Sequence, residues 1–337
     1  MADTPKVVLV TGGAGYIGSH TCKALSRLNY LPVTFDNLST GHADAVKWGP
    51  LYHGDVRDVR HLTEVLKQTN AVAVMHFAAS AYVGESMTDP QKYYRNNVTG
   101  MTALLDALDL AGIGTLVFSS SCATYGEPKQ TPIDEDTPQV PINPYGRTKL
   151  ICEHMIQDYS RARSLRFAIL RYFNAAGSDP DGELVENHDP ETHLIPCVLN
   201  AALGVSDEFS IFGDDYATAD GTCIRDFIHV SDLADGHTLA LDRLLAGSDS
   251  MTLNLGTGCG SSIMEVVRTC EDRIGHTIPK RVVEGRKGDP AILIANAERA
   301  RQVLGFNPTR SDLPTIVSTA LLGLRQVHGL SAADTFI

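Results

Sequence analysis

Tyr145 and Lys149 are the two residues of this chain whose types and spacing best suit proton transfer. They lie four residues apart in residues 143–149, NPYGRTK, so one helical turn would place both side chains on the same face. Asn143 suits the N-cap of that helix and Pro144 its first position. A lysine ammonium, a helix N-terminus and a cationic cofactor each stabilise tyrosinate. A phenol tuned in this way can take a proton from a hydroxyl group near neutral pH.

A Tyr and a Lys at this spacing also occur as an ordinary surface pair, so the elements around them decide. Residues 7–10 form a short apolar, β-branched run, which predicts a buried parallel strand. Residues 11–18, TGGAGYIG, follow at once, and apolar residues from Ile17 to Leu28 then mark a helical face. Strand, glycine turn and helix is the context of a dinucleotide site, where the backbone approaches a pyrophosphate. The glycines of this turn are Gly12, Gly15 and Gly18.

Asp36 follows the next predicted strand, residues 32–35, and lies 18 residues after Gly18. In dinucleotide-binding folds, an acidic residue about 20 residues beyond the glycines binds the hydroxyls of the adenine ribose. A carboxylate there repels a 2′-phosphate, so the sequence favours NAD over NADP. The alternative is that Asp36 is a simple turn residue.

Further strand-like runs end at residues 54–55, 76–79 and 116–121, and helical stretches cover 59–68 and 97–111. This alternation predicts an α/β fold with a doubly wound parallel sheet, in which ligands bind at the carboxyl ends of strands. Asp55, Phe77, Ser119 and Ser121 are therefore expected near the cofactor. Asp55 and Val56 either contact the adenine or form a turn. Ser121 either shares a proton with Tyr145 or is a polar residue leaving its strand.

Composition excludes several classes of function. The chain has 337 residues, enough for one large or two ordinary domains. Its formal net charge of −12 argues against nonspecific nucleic-acid binding. Seven scattered cysteines without a C-x-x-C pair predict neither a disulfide framework nor a zinc site, and they favour the reducing cytoplasm. We see no signal peptide and no apolar run of ~18 residues, so we expect no membrane association.

The chain resembles the extended short-chain dehydrogenase/reductase family and, within it, the 4-epimerases of UDP-hexoses and UDP-pentoses. The resemblance spans nearly the whole sequence. It rests on residues 11–20 (TGGAGYIGSH), 36–39 (DNLS), 83–86 (VGES), 96–97 (NN), 119–121 (SSS), 125–126 (YG), Tyr145 with Lys149, 170–177 (LRYFNAAG), 211–216 (IFGDDY), 220–222 (DGT), 225–230 (RDFIHV), 232–237 (DLADGH), 254–256 (NLG) and 288–289 (GD).

The resemblance implies a mechanism. Tyr145 would deprotonate the sugar 4-hydroxyl, Ser121 would share that proton, and Lys149 would hold the nicotinamide ribose and lower the pKa of the tyrosine. NAD would take the C4 hydride and return it to the other face of a 4-keto sugar. The family also implies a homodimer. The cofactor-binding residues expected are Gly12, Gly15, Tyr16, Ile17, Gly18, Asp36, Asn37, Asp55, Val56, Phe77, Ala78, Ala79, Asn97, Ser119, Tyr145, Lys149 and Tyr172.

Other members of the family perform other chemistry. The 4,6-dehydratases carry an Asp-Glu pair just after the corresponding strand, whereas Cys122, Ala123 and Thr124 stand here, so dehydration is disfavoured. A sugar-nucleotide dehydrogenase and a noncatalytic NAD-binding regulator stay open. One departure from the family is Ala81, which replaces a lysine that contacts the cofactor phosphates. Either Arg95 substitutes for it or the cofactor is held more weakly.

The second half is expected to bind the UDP-sugar. We predict an NAD domain at 1–177 and a substrate domain at 178–337, with parts of about 225–260 packing back on the first. His188 and His193 hint at a metal site, but no third ligand is evident in the sequence and the chemistry needs no metal, so we predict none. The family assigns diphosphate, ribose, uracil and sugar contacts to Ser121, Tyr145, Asn174, His193, Leu194, Ile211, Phe212, Arg225, Arg286, Asp289 and Leu293.

Leu293 is the position that implies sugar specificity. In the family a tyrosine there restricts the pocket to glucose and galactose, and a small residue admits N-acetylated sugars. Leucine is intermediate in size. The choice between hexose and pentose stays open, because accommodating the C6 hydroxymethyl group takes no signature residue.

Overall fold

The computed structural model describes residues 4–285 and 289–331. The strands of this part of the chain are β1 (Lys6–Thr11), β2 (Tyr30–Asp36), β3 (Leu51–His53), β4 (Ala73–His76), β5 (Thr115–Ser121), β6 (Arg166–Tyr172), β7 (Asn174–Ala176), β8 (Phe209–Phe212), β9 (Ile224–Arg225), β10 (Phe227–His229), β11 (Met251–Leu255), β12 (Ser261–Ser262), β13 (Lys280–Val283) and β14 (Ile292–Leu293).

The α-helices of the described residues alternate with these strands in the first half of the chain. They are α1 (Tyr16–Arg27), α2 (Val59–Thr69), α3 (Val83–Thr88), α4 (Pro90–Tyr93), α5 (Thr99–Ala111), α6 (Pro144–Arg163), α7 (Leu194–Ala202), α8 (Val230–Leu245), α9 (Ile263–Ile274), α10 (Glu298–Leu304) and α11 (Leu313–Val327).

Seven strands form one parallel sheet in the order β11-β6-β5-β4-β1-β2-β3. The predicted doubly wound α/β fold is therefore confirmed. The strand order reverses between β1 and β4, and such a switch point opens a crevice at the carboxyl ends of the strands. Thr11 and His76, the last residues of these two strands, are paired and their side chains are 2.6 Å apart.

The sheet is buried on both faces because its strand residues alternate between two hydrophobic cores. Leu9, Val74 and Phe118 point to one face, where they meet α2, α5 and α6. Val8 and Val117 point to the other face, where they meet α1, α8 and α10. Burial on both sides explains why the strands are nearly continuous apolar runs.

A third core lies outside the main sheet. It joins α7, α9 and α11 with β8, through residues such as Val198, Val267 and Ile316. β8 pairs with β13, and β9 lies between β12 and β14. The strand β11 and the helix α8 belong to the main-sheet layer although they follow residue 177 in the chain. The boundary at 177 itself stays a prediction.

We find no helix among residues 4–285 and 289–331 that is both long enough and apolar enough to cross a lipid bilayer.

Candidate active site

The glycine turn after β1 is shaped by close backbone contacts. Gly12 has φ +73° and its N–H donates to the backbone oxygen of Phe35 at 3.0 Å. A Cβ on Gly12 would lie 2.5 Å from the nitrogen of Ala78, and one on Gly18 would lie 2.1 Å from the oxygen of Gly12. Both positions therefore require glycine. The N-cap of α1 is Gly15, which offers no side-chain cap, so the first-turn N–H groups are available for an anion.

A cleft of about 800 Å³ lies at the carboxyl ends of the central strands. This cleft is where the fold predicts a ligand. Of the residues expected from the sequence to bind cofactor or substrate, the following line it: Gly12, Gly15, Tyr16, Ile17, Gly18, Asp36, Asn37, Val56, Phe77, Ala78, Ala79, Ser119, Ser121, Tyr145, Tyr172, Asn174, His193 and Leu194. Ala81 and Arg95 line it as well.

Asp36 is the last residue of β2 and is 8% exposed. Its Oδ2 accepts the N–H of Ala14 at 3.0 Å and its Oδ1 accepts that of Leu38 at 2.8 Å. These bonds fix the carboxylate at the edge of the cleft beside the glycine turn. Each carboxylate oxygen has further lone pairs, so the group can still accept hydroxyl donors.

Three residues expected to contact the cofactor, Asp55, Asn97 and Lys149, are not among the cleft-lining residues, and each is bonded to a neighbouring group of the protein. Asp55 binds Arg57 in a fork of 2.6 and 2.8 Å, and this partner holds the pKa of Asp55 at about 2. Asn97 accepts the N–H of Ser80 at 2.8 Å and donates to Thr148 Oγ1 at 3.0 Å. Asn97 therefore ties the Ser80 loop to α6.

The predicted helix at Asn143 and Pro144 is confirmed. Asn143 is the N-cap of α6, its Oδ1 accepts the N–H of Gly146 at 2.8 Å, and Pro144 is the first helical residue. Tyr145 thus lies in the first turn and is 5% exposed. Lys149, one turn later, is also buried, with its Nζ 5.9 Å from the centre of the Tyr145 ring.

The Tyr145 hydroxyl faces the end of β5. The side chains of Ser121 and Tyr172 are near enough to the hydroxyl to influence its pKa. Burial raises the pKa of Tyr145 well above 10, and Tyr172 raises it further, whereas the Ser121 contact lowers it. The protein alone therefore holds Tyr145 as the neutral phenol.

The ammonium of Lys149 is bonded to the backbone rather than to the hydroxyl of Tyr145. Its Nζ donates to the backbone oxygen of Ser119 at 2.8 Å, and burial lowers its pKa to about 8. Burial is thus the largest influence on the pKa of Tyr145, and its lowering by Lys149 together with a cationic cofactor stays a prediction.

Sequence reasoning missed a buried polar network beneath this site. Glu153 is fully buried and pairs with Arg171 at 2.7 Å. Glu153 also accepts from Ser120 Oγ at 2.5 Å, and Arg171 donates to the Tyr125 hydroxyl at 2.9 Å. The spacing of Tyr145, Lys149 and Glu153 at every fourth residue was the available indication, since it places all three on one face of α6.

On the substrate side, two predicted residues are paired with each other. Arg225 Nη2 lies 2.5 Å from Asp289 Oδ1, and Arg225 is 8% exposed. Leu293 is opposite Arg225 in the β14–β9 ladder and packs, with Cys122, on the cluster of Tyr125 and Phe173. Leu293 therefore packs on the same cluster as Cys122, the residue that follows Ser121. Arg286 lies outside the described residues.

The two residues expected at the uracil are in different environments. Ile211 is 4% exposed and belongs to the third hydrophobic core. Phe212, the next residue of β8, is 40% exposed. Phe212 therefore has an exposed ring face on which a flat base can stack, whereas the side chain of Ile211 is buried in the core.

The sequence argument against a metal rested on the lack of a third ligand, and the structure corrects that point. Glu186, His188, Glu191 and His193 meet in one cluster, with a ligand atom of each within 4.8 Å of the others. The two histidines therefore have two carboxylate neighbours.

Known proteins are similar to this chain in fold and in sequence. Residues 8–256 match the model of the NAD dependent epimerase/dehydratase family. A UDP-glucose 4-epimerase of Rhizobium leguminosarum bv. trifolii is 52% identical over 315 residues, which are 94% of this chain and 96% of that protein.

Two solved structures illustrate the likeness. A UDP-glucose 4-epimerase from Brucella ovis in complex with NAD is 54% identical, with a TM-score of 0.92 over 94% of this chain and 97% of that one. A UDP-glucose-4-epimerase from Stenotrophomonas maltophila with bound NAD and formylated UDP-arabinopyranose is 38% identical, with a TM-score of 0.93 over 96% and 99% of the two chains. The chain described here therefore belongs to the NAD dependent epimerase/dehydratase family.

Proposed function

We propose that this chain is an NAD-dependent epimerase that inverts C4 of a UDP-sugar, with UDP-glucose and UDP-galactose as its principal pair. The observation that carries the proposal is that Ser121 and Tyr145 line the same cleft as the glycine turn. The related UDP-glucose 4-epimerases, about half identical to this chain over nearly its whole length, support the same activity.

The residues of the cleft fit a dinucleotide. The uncapped N-terminus of α1 and the side-chain-free positions Gly12 and Gly18 suit a pyrophosphate. Asp36 suits the hydroxyls of the adenine ribose, and its negative charge disfavours NADP. Bound NAD supplies the acceptor and donor of a hydride, which is the redox chemistry that amino-acid side chains lack.

The chain itself supplies acid–base chemistry at the 4-hydroxyl of the sugar. We assign Tyr145 as the base, with Ser121 sharing the proton through a short relay. In the protein alone burial keeps Tyr145 protonated, and a positive charge bound beside it lowers its pKa. The ammonium of Lys149 is held next to this helix turn by Ser119, where we place the nicotinamide ribose.

We place the UDP-sugar between the cleft and β9. Asn174, His193 and Leu194 line the cleft, and Arg225 offers a guanidinium that binds phosphate oxygens. Asp289, which pairs with Arg225, is assigned to the ribose of the nucleotide. Arg286 is assigned to the diphosphate on the family resemblance alone, and Phe212 to the uracil.

The second candidate is the pentose pair UDP-xylose and UDP-L-arabinose. The Stenotrophomonas relative was solved with a formylated UDP-arabinopyranose, which favours a pocket in this family that accepts a five-carbon sugar. Leu293, midway in size between alanine and tyrosine, is compatible with either sugar.

We further propose that the protein acts in the cytoplasm as a homodimer, and that it binds neither nucleic acid nor a membrane. None of its seven cysteines, all within the described residues, forms a disulfide, which is typical of a reducing compartment. The negative net charge of −12 opposes binding to nucleic acid. Dimerisation rests on the family resemblance, and light scattering of the purified protein tests it.

Incubation of the purified protein with UDP-galactose, and separately with UDP-xylose, tests the proposal by chromatography of the products. We expect a mixture of 4-epimers without added cofactor and without net NADH. The relative rates distinguish the hexose pair from the pentose pair. A lack of conversion of either sugar, even with NAD added, would contradict the assignment.

A further inference from the structure

Four side chains of the segment before α7 converge on one point. Glu186, His188, Glu191 and His193, here called the His/Glu cluster, each contribute one nitrogen or oxygen atom within 4.8 Å of the other three. Each could coordinate a cation through an imidazole nitrogen or a carboxylate oxygen. Neither the epimerase chemistry nor the cofactor site uses them as a group.

The distances within the His/Glu cluster match those between ligands of a four-coordinate ion. His193 Nδ1 lies 2.8 Å from Glu186 Oε1 and 3.4 Å from Glu191 Oε1. His188 Nδ1 lies 3.6 Å from Glu186 Oε1 and 3.5 Å from Glu191 Oε2. A tetrahedral ion with metal–ligand bonds of about 2.0–2.1 Å holds its ligands roughly 3.3–3.4 Å apart. The four contacts scatter around that value.

The second observation is a pair of buried groups that lack hydrogen bonds. Glu186 is 3% exposed, yet neither of its carboxylate oxygens accepts a hydrogen bond, and the buried Nδ1 of His188 also lacks one. Buried polar atoms are paired in the large majority of cases. The 2.8 Å contact between His193 and Glu186 does not meet hydrogen-bond geometry. Glu191 Oε1 accepts the N–H groups of Thr192 and His193, whereas the buried oxygens of Glu186 and the Nδ1 of His188 are left with lone pairs that a cation could bind.

The charges of the cluster also suit a divalent cation. Two carboxylates and two neutral imidazoles carry a net charge of −2, which a divalent ion neutralises. Burying two adjacent carboxylates without compensation is costly. Imidazole nitrogen with carboxylate oxygen is a donor set that Zn²⁺ accepts. His193 is about half exposed, which leaves a path for the ion to enter.

A second acidic cluster shows what a compensated site looks like in this chain. Asp179, Asp181 and Glu183 also lie together, but Lys23 Nζ approaches all three at 2.6–2.8 Å. The described part of the chain provides no lysine or arginine ion pair to the His/Glu cluster in this way. The rival arrangement is an imidazolium, because burial lowers the pKa of His193 but Glu186 and Glu191 raise it to about 10.

We propose that Glu186, His188, Glu191 and His193 bind one Zn²⁺ ion that fixes the segment before α7 against the cofactor cleft. The ring of His188 meets Tyr16 edge-on at 5.8 Å and Tyr82 at 6.2 Å. Tyr16 in turn donates its hydroxyl to the backbone oxygen of Gly177 at 2.5 Å. The ion would thereby link the start of α1, the Tyr82 loop and His193, the N-cap of α7. Its role is structural, since all four positions are taken by protein ligands.

Zinc binding to the tag-free full-length protein tests the proposal. The protein is treated with a chelator and titrated with ZnCl₂ in competition with a chromophoric chelator. We expect one equivalent with a Kd below about 1 µM, a rise in melting temperature, and the strong visible absorption of four-coordinate cobalt when Co²⁺ replaces zinc.

Two variants and a control locate the ion. Glu191→Gln keeps the shape of the side chain and His188→Asn removes a nitrogen ligand. Each should weaken zinc binding at least 100-fold, beyond the roughly 10–100-fold typical of losing a residue that only orients a metal ligand. His154→Asn, at an exposed histidine of α6, should bind as the wild type does, and circular dichroism checks that each variant is folded. Weaker wild-type binding than about 10 µM, or undiminished binding in both variants, would overturn the proposal.

Discussion

Lys149 Nζ donates a hydrogen bond of 2.8 Å to the backbone oxygen of Ser119. The ammonium on α6 is thus tied to β5, two residues before Ser121, and does not bond the hydroxyl of Tyr145. This arrangement makes Lys149 a buried cation with a single hydrogen-bond partner, a backbone oxygen, among the described residues. Its protonation should therefore be visible in the stability of the cofactor-free protein.

Burial lowers the pKa of Lys149 to about 8, below its ordinary value of 10.5. Between these values the unfolded chain binds the proton and the folded chain does not, so stability rises with pH in this window. In Lys149→Met that rise is absent. We expect the difference in free energy of unfolding between cofactor-free wild type and variant, measured by urea denaturation, to change by about 1–3 kcal/mol between pH 7 and pH 10. A difference in unfolding free energy that does not change with pH would mean that burial does not lower the pKa of Lys149.

Tyr145→Phe removes the proposed base and leaves the ring in place. We expect turnover to fall by about 10²–10⁴-fold, the usual contribution of a positioned acid or base. Bound NAD, measured by release on denaturation, should be unchanged. Tyr159→Phe, on the same helix and partly buried, is the matched control and should retain activity. Robust turnover by Tyr145→Phe would remove that residue from the mechanism.

Asp36→Ala should change the choice of cofactor. The wild type should bind NAD more tightly than NADP, because the carboxylate repels a 2′-phosphate. The variant should lose at least about 10-fold of that preference, equivalent to 1.4 kcal/mol. The two Kd values, measured by fluorescence titration, give the ratio. Asp36→Asn removes the negative charge but keeps one oxygen that can accept a hydrogen bond from Ala14 or Leu38, so it distinguishes the effect of charge from that of the hydrogen bonds. A wild type that prefers NADP would contradict this assignment.

Glu153→Gln breaks the buried pair with Arg171. The guanidinium is then left without a countercharge, and such a loss costs about 3–5 kcal/mol. The control is Arg161→Gln on the same helix, whose partner Asp158 and whose own side chain are both 76% exposed. That change should alter stability by less than about 1 kcal/mol. Denaturant unfolding measures both. Equal effects of the two substitutions would mean that the network carries no special stability.

Leu293 tests the shape of the sugar pocket. Leu293→Ala should raise the relative kcat/KM for UDP-N-acetylglucosamine over UDP-glucose, because it removes bulk beside Cys122 and Phe173. Leu293→Tyr should reduce the ratio. One or two methyl groups in a pocket are worth about 1–3 kcal/mol, or 10–200-fold. Ratios that are the same in all three proteins would place the sugar elsewhere.

Local patterns sufficed for the first half of the fold. The run at residues 7–10, the glycines and the apolar face after Ile17 predicted β1, the turn and α1, because each depends on neighbours in sequence. The cap at Asn143 was predictable for the same reason. The glycine turn and the start of α6, which bears Tyr145, both line the cleft.

Long-range partners were not predictable. Nothing in the sequence around Asn97 shows that its side chain is bonded to Ser80 and Thr148, which are 17 and 51 residues away. The burial that raises the pKa of Tyr145 is likewise set by the packed fold. The ligands of the His/Glu cluster were all present within residues 186–193, but carboxylates and imidazoles at such spacings are common, and only their convergence distinguishes them.

The return of hydride to the carbon it left is the central claim, and an isotope measures it directly. UDP-galactose carrying deuterium at C4 is incubated with the purified protein, and the UDP-glucose formed is analysed by mass spectrometry and NMR. The account predicts that the product retains the deuterium at C4, because the hydride never exchanges with water. Product that has lost its deuterium to solvent would contradict an NAD-mediated epimerisation.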